Sequence, residues 1–146
     1  MMFYSKKTEY AVQAMIVIAD KFETGEYISL EEIMKSAELP KALTFKLLSI
    51  LVKDKLLVST LGPKGGFRLS KPANKIKLLS VISHFEPKNQ YEQCALGFPF
   101  CSEHNKCSLH DQWKGLRKPI VDYLETTTLD ELVKTFRENG PRKKIV

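Results

Sequence analysis

Apolar residues in the first third of the chain recur at spacings of three and four. From Thr8 onward, Ala11, Ala14, Met15, Ile18, Ala19 and Phe22 fall on one helical face, and Glu23-Thr24-Gly25-Glu26 breaks the pattern. Ser29, followed three residues later by Glu32, is a capping box that opens a short helix to about Ala37 with Leu30, Ile33 and Met34 inward. Pro40 suits a first helical turn, and Leu43, Leu47, Ile50 and Leu51 predict a third helix to about Lys55. Leu56 to Thr60 and Gly66 to Leu69 are strand-like, and Leu61-Gly62-Pro63-Lys64-Gly65 between them reads as a hairpin loop.

Three helices followed by a β-hairpin are the parts of a winged helix-turn-helix. Beyond Lys71-Pro72, Ile76 to Phe85 predicts a fourth helix, whereas Glu86 to Asn105 carries no sustained period. From Ser108 the stripe Leu109, Trp113, Leu116, Ile120, Tyr123 and Leu124 predicts a long helix, with too little chain left to cover it. Such a face calls for a second copy, so a homodimer is expected. Pro119 inside that helix should cost roughly 3 kcal/mol or bend it. Thr128 then caps a last helix, Leu129 to Phe136, ahead of the basic tail Pro141-Arg142-Lys143-Lys144. The expected fold is mainly α with a small β-hairpin wing: a winged helix-turn-helix DNA-binding domain over residues 1–72, then a cysteine loop and dimerisation helices over residues 73–146.

Composition narrows the function. A chain of 146 residues excludes a large multi-domain enzyme, and 43% hydrophobic with 27% charged residues excludes a disordered protein. The apolar run Ala11 to Ala19 is too short to cross a bilayer and lacks the flanks of a signal peptide, so a cytoplasmic protein is expected. A net charge of +6 favours an anionic partner. No strongly basic amphipathic helix points to lipid, which leaves nucleic acid rather than membrane.

The third helix offers Lys41, Thr44, Phe45, Lys46 and Ser49 opposite its leucines. Lysines suit phosphate or guanine, Thr44 a base or phosphate, and Phe45 a thymine methyl. The alternative is a merely solvated helix face. The hairpin adds Lys64 and Arg68, with Gly62, Gly65 and Gly66 permitting close backbone approach to a phosphate. So few base contacts demand two half-sites, again a dimer on double-stranded DNA.

All three cysteines lie between Cys94 and Cys107, in the order Cys94-x6-Cys101-x5-Cys107-x2-His110. A cytosolic thiol cluster is more often a metal site than a disulfide framework. Three thiolates and an imidazole make a four-ligand set for zinc or an iron-sulfur cluster. Paired Cys-x2-Cys knuckles, usual for zinc, are absent, and the wide spacing suits something bulkier than one ion. Glu9 is an alternative fourth ligand whose default role is to complement the dipole of the first helix. His104 reads as a solvated loop histidine and Trp113 as an interface or core anchor. No accompanying base, nucleophile or phosphate loop indicates an enzyme.

Tyr10-Ala11-Val12 with Ala14-Met15, the wing Gly62-Pro63-Lys64-Gly65-Gly66-Phe67, and Cys94, Cys101, Cys107 and His110 with nearby Trp113 resemble the winged-helix iron-sulfur regulators of the IscR and NsrR type. The resemblance spans nearly the whole chain. It implies a homodimer built by the long C-terminal helix, a palindromic operator, and a cluster on Cys94, Cys101 and Cys107 that senses cluster status, redox state or nitric oxide to repress or activate. His110 matches the fourth ligand of members holding a two-iron cluster, which is favoured. Glu9 falls near the acidic residue of members holding a four-iron cluster. The first interval holds six residues where those relatives commonly hold five or fewer. A winged-helix regulator with a structural zinc site, or with no metal, is the alternative.

Overall fold

The computed structural model describes residues 4–87 and 90–139, so the basic tail lies outside the described residues. Helix α1 spans Lys6–Asp20, α2 Leu30–Ala37 and α3 Lys41–Lys53; strands β1 (Leu57–Thr60) and β2 (Gly66–Leu69) form the hairpin; α4 (Leu78–Ile82), α5 (His110–Thr126) and α6 (Leu129–Asn139) follow. This is the mainly helical architecture with a two-stranded wing that the pattern predicts.

Helix α1 begins earlier than its apolar stripe suggests. Ser5, in an extended conformation, is the N-cap, and its hydroxyl accepts from the Thr8 amide at 3.4 Å. Thr8 itself is buried, and its hydroxyl donates to Glu86 Oε1 at 2.5 Å, an oxygen that also accepts from the Ser5 amide at 2.5 Å. A carboxylate distant in sequence thus sits on the positive end of α1. Ser29 caps α2 as expected, accepting from the Glu32 amide at 3.2 Å, while the Glu32 carboxylate is drawn away to Lys21. Pro40 is the N-cap of α3 rather than a residue of its first turn. The turn between α2 and α3 depends on Glu38 in the left-handed region, at φ 54°.

The wing is antiparallel, with Leu57 opposite Leu69 and Ser59 opposite Phe67. Leu57, Phe67 and Leu69 turn into the core. Ile28 adds a bridge to the other edge of β2: its amide donates to Phe67 O and the Phe67 amide to Ile28 O, both at 2.8 Å. Gly66 makes this approach possible. Its φ is +145°, and a Cβ there would lie 2.1 Å from Ile28 O. The wing glycine is therefore required by the protein's own backbone, which removes the need to invoke a phosphate for it.

Helix α4 is shorter than the predicted span of Ile76 to Phe85. Ile76 is extended and buried, accepting from the Leu129 amide at 2.8 Å, while Lys77 bridges Thr128. Its apolar side chain mimics a helical position but belongs to a short backbone tie between α4 and α6. One core includes Met15 and Ile18 of α1, Leu48 and Leu51 of α3, and Ile76, Val81, Leu129 and Val133 beyond the wing. Thr128 and Glu131 form a reciprocal capping box on α6, at 3.3 and 3.2 Å. Helix α5 runs on through Pro119. The carbonyl opposed by that ring belongs to Gly115, whose missing side chain leaves the backbone freest to tilt aside.

Candidate metal centre and nucleic-acid interface

The segment from Cys94 to His110 has no strand or helix of its own; it is a chain of tight turns. The Gly97 amide donates to Cys94 O at 3.0 Å, Cys101 to Phe98 O at 3.2 Å, and Ser102 and Asn105 exchange bonds at 3.1 Å. His110 then donates to Cys107 O at 3.2 Å as α5 begins. The six-residue first interval holds two successive turns, and these carry Cys101 back toward Cys94. Gly97, at φ +74°, closes the first of them.

The result is convergence. The sulfurs of Cys94, Cys101 and Cys107 lie within 4.8 Å of one another, with Cys94 Sγ to Cys107 Sγ at 3.5 Å. His110 Nδ1 is 3.2 Å from Cys101 Sγ. At Cys94, desolvation pushes the thiol pKa up, but the amides of Phe98 and Leu96 and the thiols of Cys107 and Cys101 outweigh it and bring it down to about 7. At Cys101 the Cys107 amide pulls down, but desolvation and the thiols of Cys107 and Cys94 prevail and the net shift is upward. Adjacent thiols resist losing all their protons together, and a cationic centre relieves that conflict. The donor set thus fits a soft metal or an iron-sulfur cluster: three convergent thiols, a neighbouring imidazole, and no disulfide among them.

One face of α5 holds the entry to this loop and its middle. Trp113 Nε1 donates to Gln93 O and Arg117 to Glu92 O, each at 2.8 Å, immediately before Cys94. Lys114 reaches Glu103 Oε1 at 2.5 Å, between Cys101 and Cys107. Lys114 and His110 pull the Glu103 carboxyl down to about 2, Lys114 most strongly. Glu103 and Arg117 belong to no sequence motif, and Trp113 reads from the sequence as an interface or core anchor. The signal that groups the α5 residues is that positions 110, 113, 114 and 117 fall on one helical face.

Glu9 is not brought to the sulfurs within one chain; it pairs with Lys6 at 2.7 Å in the first turn of α1. His104 is exposed.

Lys41, Phe45, Lys46 and Ser49 are exposed along α3, Phe45 at 57%. Thr44 is a correction. It is 1% exposed and its hydroxyl donates to Pro40 O at 2.7 Å, because it lies on the same turn as the buried Leu47 and Leu48 and faces the core. Thr44 therefore presents nothing to a base. Lys64 stands exposed at the wing tip. Gly65 packs against its own hairpin, where a Cβ would meet Thr60 O at 2.5 Å. Arg68 lies over the Tyr27 ring at 4.7 Å and reaches Gly25 O at 3.3 Å. The exposed side of α3 thus carries Lys41, Lys46 and Phe45, and the hairpin carries Lys64 and the half-buried Arg68.

A family model described as an iron-dependent transcriptional regulator, Rrf2, matches residues 4–135. The chain belongs to the Rrf2 family. The transcriptional regulator IscR of Pectobacterium carotovorum subsp. carotovorum is 34% identical over 129 residues, 88% of this chain and 77% of that relative. Among solved structures, T. potens IscR superposes with a TM-score of 0.74 at 25% identity, covering 96% of this chain and 92% of its own. CymR, described as the global cysteine regulator of B. subtilis, superposes at 0.77 with 24% identity, covering 92% and 98%, and shares the fold. This Rrf2 chain is a DNA-binding transcriptional regulator of winged-helix type, similar to IscR, with a cysteine triad in place. Among the described residues no helix is long and apolar enough to cross a membrane.

Proposed function

We propose that this Rrf2 regulator holds an iron-sulfur cluster on Cys94, Cys101, Cys107 and His110 and changes its operator affinity with the state of that cluster. The observation that carries the reading is the meeting of three sulfurs within 4.8 Å, with His110 Nδ1 3.2 Å from one of them. Three thiolates and one imidazole favour a two-iron cluster; a four-iron cluster with Glu9 supplied by a second copy is the other nuclearity. When bound, the cluster supplies a centre sensitive to iron supply, oxidants and nitric oxide.

The chain's own residues carry the response. Trp113, Lys114 and Arg117 tie the entry and the middle of the loop to α5. The next face of α5 carries Leu116 and Tyr123, 64% and 59% exposed, beside an apolar groove of about 510 Å³ lined by Val12, Ile16, Pro119 and Ile120. A second copy covers this face, and two α3–wing faces then meet successive half-sites of a palindromic duplex. Rearranging the loop moves α5, and α5 sets the spacing of the two heads. Residues 1–72 read DNA, and residues 73–146 hold the centre and the dimer contact.

The test compares the affinity of anaerobically reconstituted protein with that of a triple Cys→Ser variant for fragments selected from random duplex. Useful switching needs about 2 kcal/mol between states, roughly thirtyfold in affinity. Equal affinities on every selected fragment contradict the proposal.

A further inference from the structure

The loop holds a carboxylate that lies outside the hydrophobic core and is not a ligand in the set above. Glu103 is half exposed, outside the core, in the turn closed by Ser102 and Asn105. Its Oε1 lies 3.4 Å from His110 Nε2 and 2.5 Å from Lys114 Nζ. His110 Nε2 is buried, and its approach to Glu103 is a close ionic contact without hydrogen-bond alignment. The other ring nitrogen, Nδ1, faces the thiols. A ligating imidazole needs its second nitrogen occupied, because that hydrogen bond fixes both the tautomer and the ring orientation.

We propose that Glu103 is the positioning residue of the centre: its carboxylate, pinned by Lys114, accepts the Nε2–H of His110 and leaves Nδ1 as the ligand atom. This rests on the reading of His110 as fourth ligand. Lys114 lies one turn beyond His110 on α5, so a single helix supplies both the imidazole and the cation that holds its acceptor. Asp111, the carboxylate next to His110 in sequence, pairs with Lys106 at 2.8 Å, a lysine that stands 3.9 Å from Glu103. Nearby negative charge is thus separable from the specific contact.

The test uses anaerobically reconstituted full-length protein: wild type, E103Q, E103D, D111N and H110A. Pulsed EPR of the dithionite-reduced protein reads the nitrogen coupling of a ligating histidine, and redox titration reads the midpoint potential. Wild type shows the coupling and H110A loses it. E103Q changes the coupling and raises the potential, because the imidazole donates less charge; E103D moves both back, and D111N leaves both near wild type. In metal-free protein, long-range 1H–15N spectra show the Nε2–H tautomer in wild type and a mixture in E103Q, so the proposal remains testable if E103Q loads poorly.

E103Q with wild-type coupling, potential and tautomer overturns the proposal, as does an equal shift in D111N. A wild-type protein without nitrogen coupling overturns the histidine ligand and this proposal together. Coupling abolished in H110A but indifferent to E103Q overturns this proposal alone.

Discussion

Replacing Gly66 with alanine should detach the wing from the body of the molecule. The new Cβ would lie 2.1 Å from Ile28 O, 2.5 Å from Ile28 C and 2.8 Å from Ser29 N, all backbone atoms that no rotamer change can clear. The Ile28–Phe67 rung must open, and its two bonds contribute about 0.5–1.5 kcal/mol each. Forcing a side chain to φ +145° adds about 1–3 kcal/mol. The sum is about 2–6 kcal/mol, a large share of the ~5–15 kcal/mol that holds a domain folded. Gly62→Ala is the control: its φ is +106°, but nothing lies within 4 Å of the added carbon, so only the backbone cost remains. Urea denaturation of both variants should give the G66A midpoint clearly below that of G62A. A folded G66A protein should also bind duplex more weakly on every sequence, because Lys64 no longer meets its phosphate. Equal midpoints for the two variants would refute the steric reasoning.

The alanine pair Lys64→Ala and Arg68→Ala should weaken binding on all sequences alike and lower the salt slope of log affinity by about 1 for each phosphate no longer neutralised, read by fluorescence anisotropy across a salt series. Thr44→Val, in contrast, should leave DNA affinity within about twofold, since its hydroxyl serves only Pro40 O and one net bond is worth about 1 kcal/mol of stability. Glu86→Gln should cost about 1 kcal/mol at neutral pH, measured by urea midpoints. Desolvation raises the Glu86 pKa, but the Thr8 hydroxyl and the Ser5 amide and hydroxyl prevail and hold it below its ordinary 4.5. Its stabilisation is therefore present above pH 4.5 and lost as pH falls through the lower folded value, an acid dependence that E86Q should flatten. Trp113→Phe with Arg117→Ala removes both donors to the carbonyls before Cys94, and should speed iron loss to a chelator several-fold while far-ultraviolet circular dichroism is unchanged.

Most of the fold is legible in the sequence because its elements obey local rules. Ser29 with Glu32 and Thr128 with Glu131 cap their helices through the hydroxyl-to-amide bonds their spacing predicts, and the hairpin register follows from inward Leu57, Phe67 and Leu69. The departures have a common cause, which is pairing between residues far apart in the chain. Helix α1 starts ahead of the apolar series that opens at Thr8, because Ser5 caps it and the distant Glu86 takes the Thr8 hydroxyl. Ile76 leaves the helix because Leu129 pairs with its carbonyl. The cysteine spacing points to a thiol cluster, but not that two turns fill the first interval or that Glu103 comes to lie beside His110. Thr44 shows the limit of a helical-wheel reading: a polar residue next to the apolar stripe satisfies its hydroxyl on its own backbone and goes inward.

The central claim is that the thiol triad holds iron and sulfide rather than a single ion. Protein isolated and kept under strict anaerobiosis should be brown, and its assayed iron and acid-labile sulfide should be present in equal amounts, both falling to background in the triple Cys→Ser variant. Colourless wild-type protein containing zinc, or neither iron nor sulfide, would contradict the account.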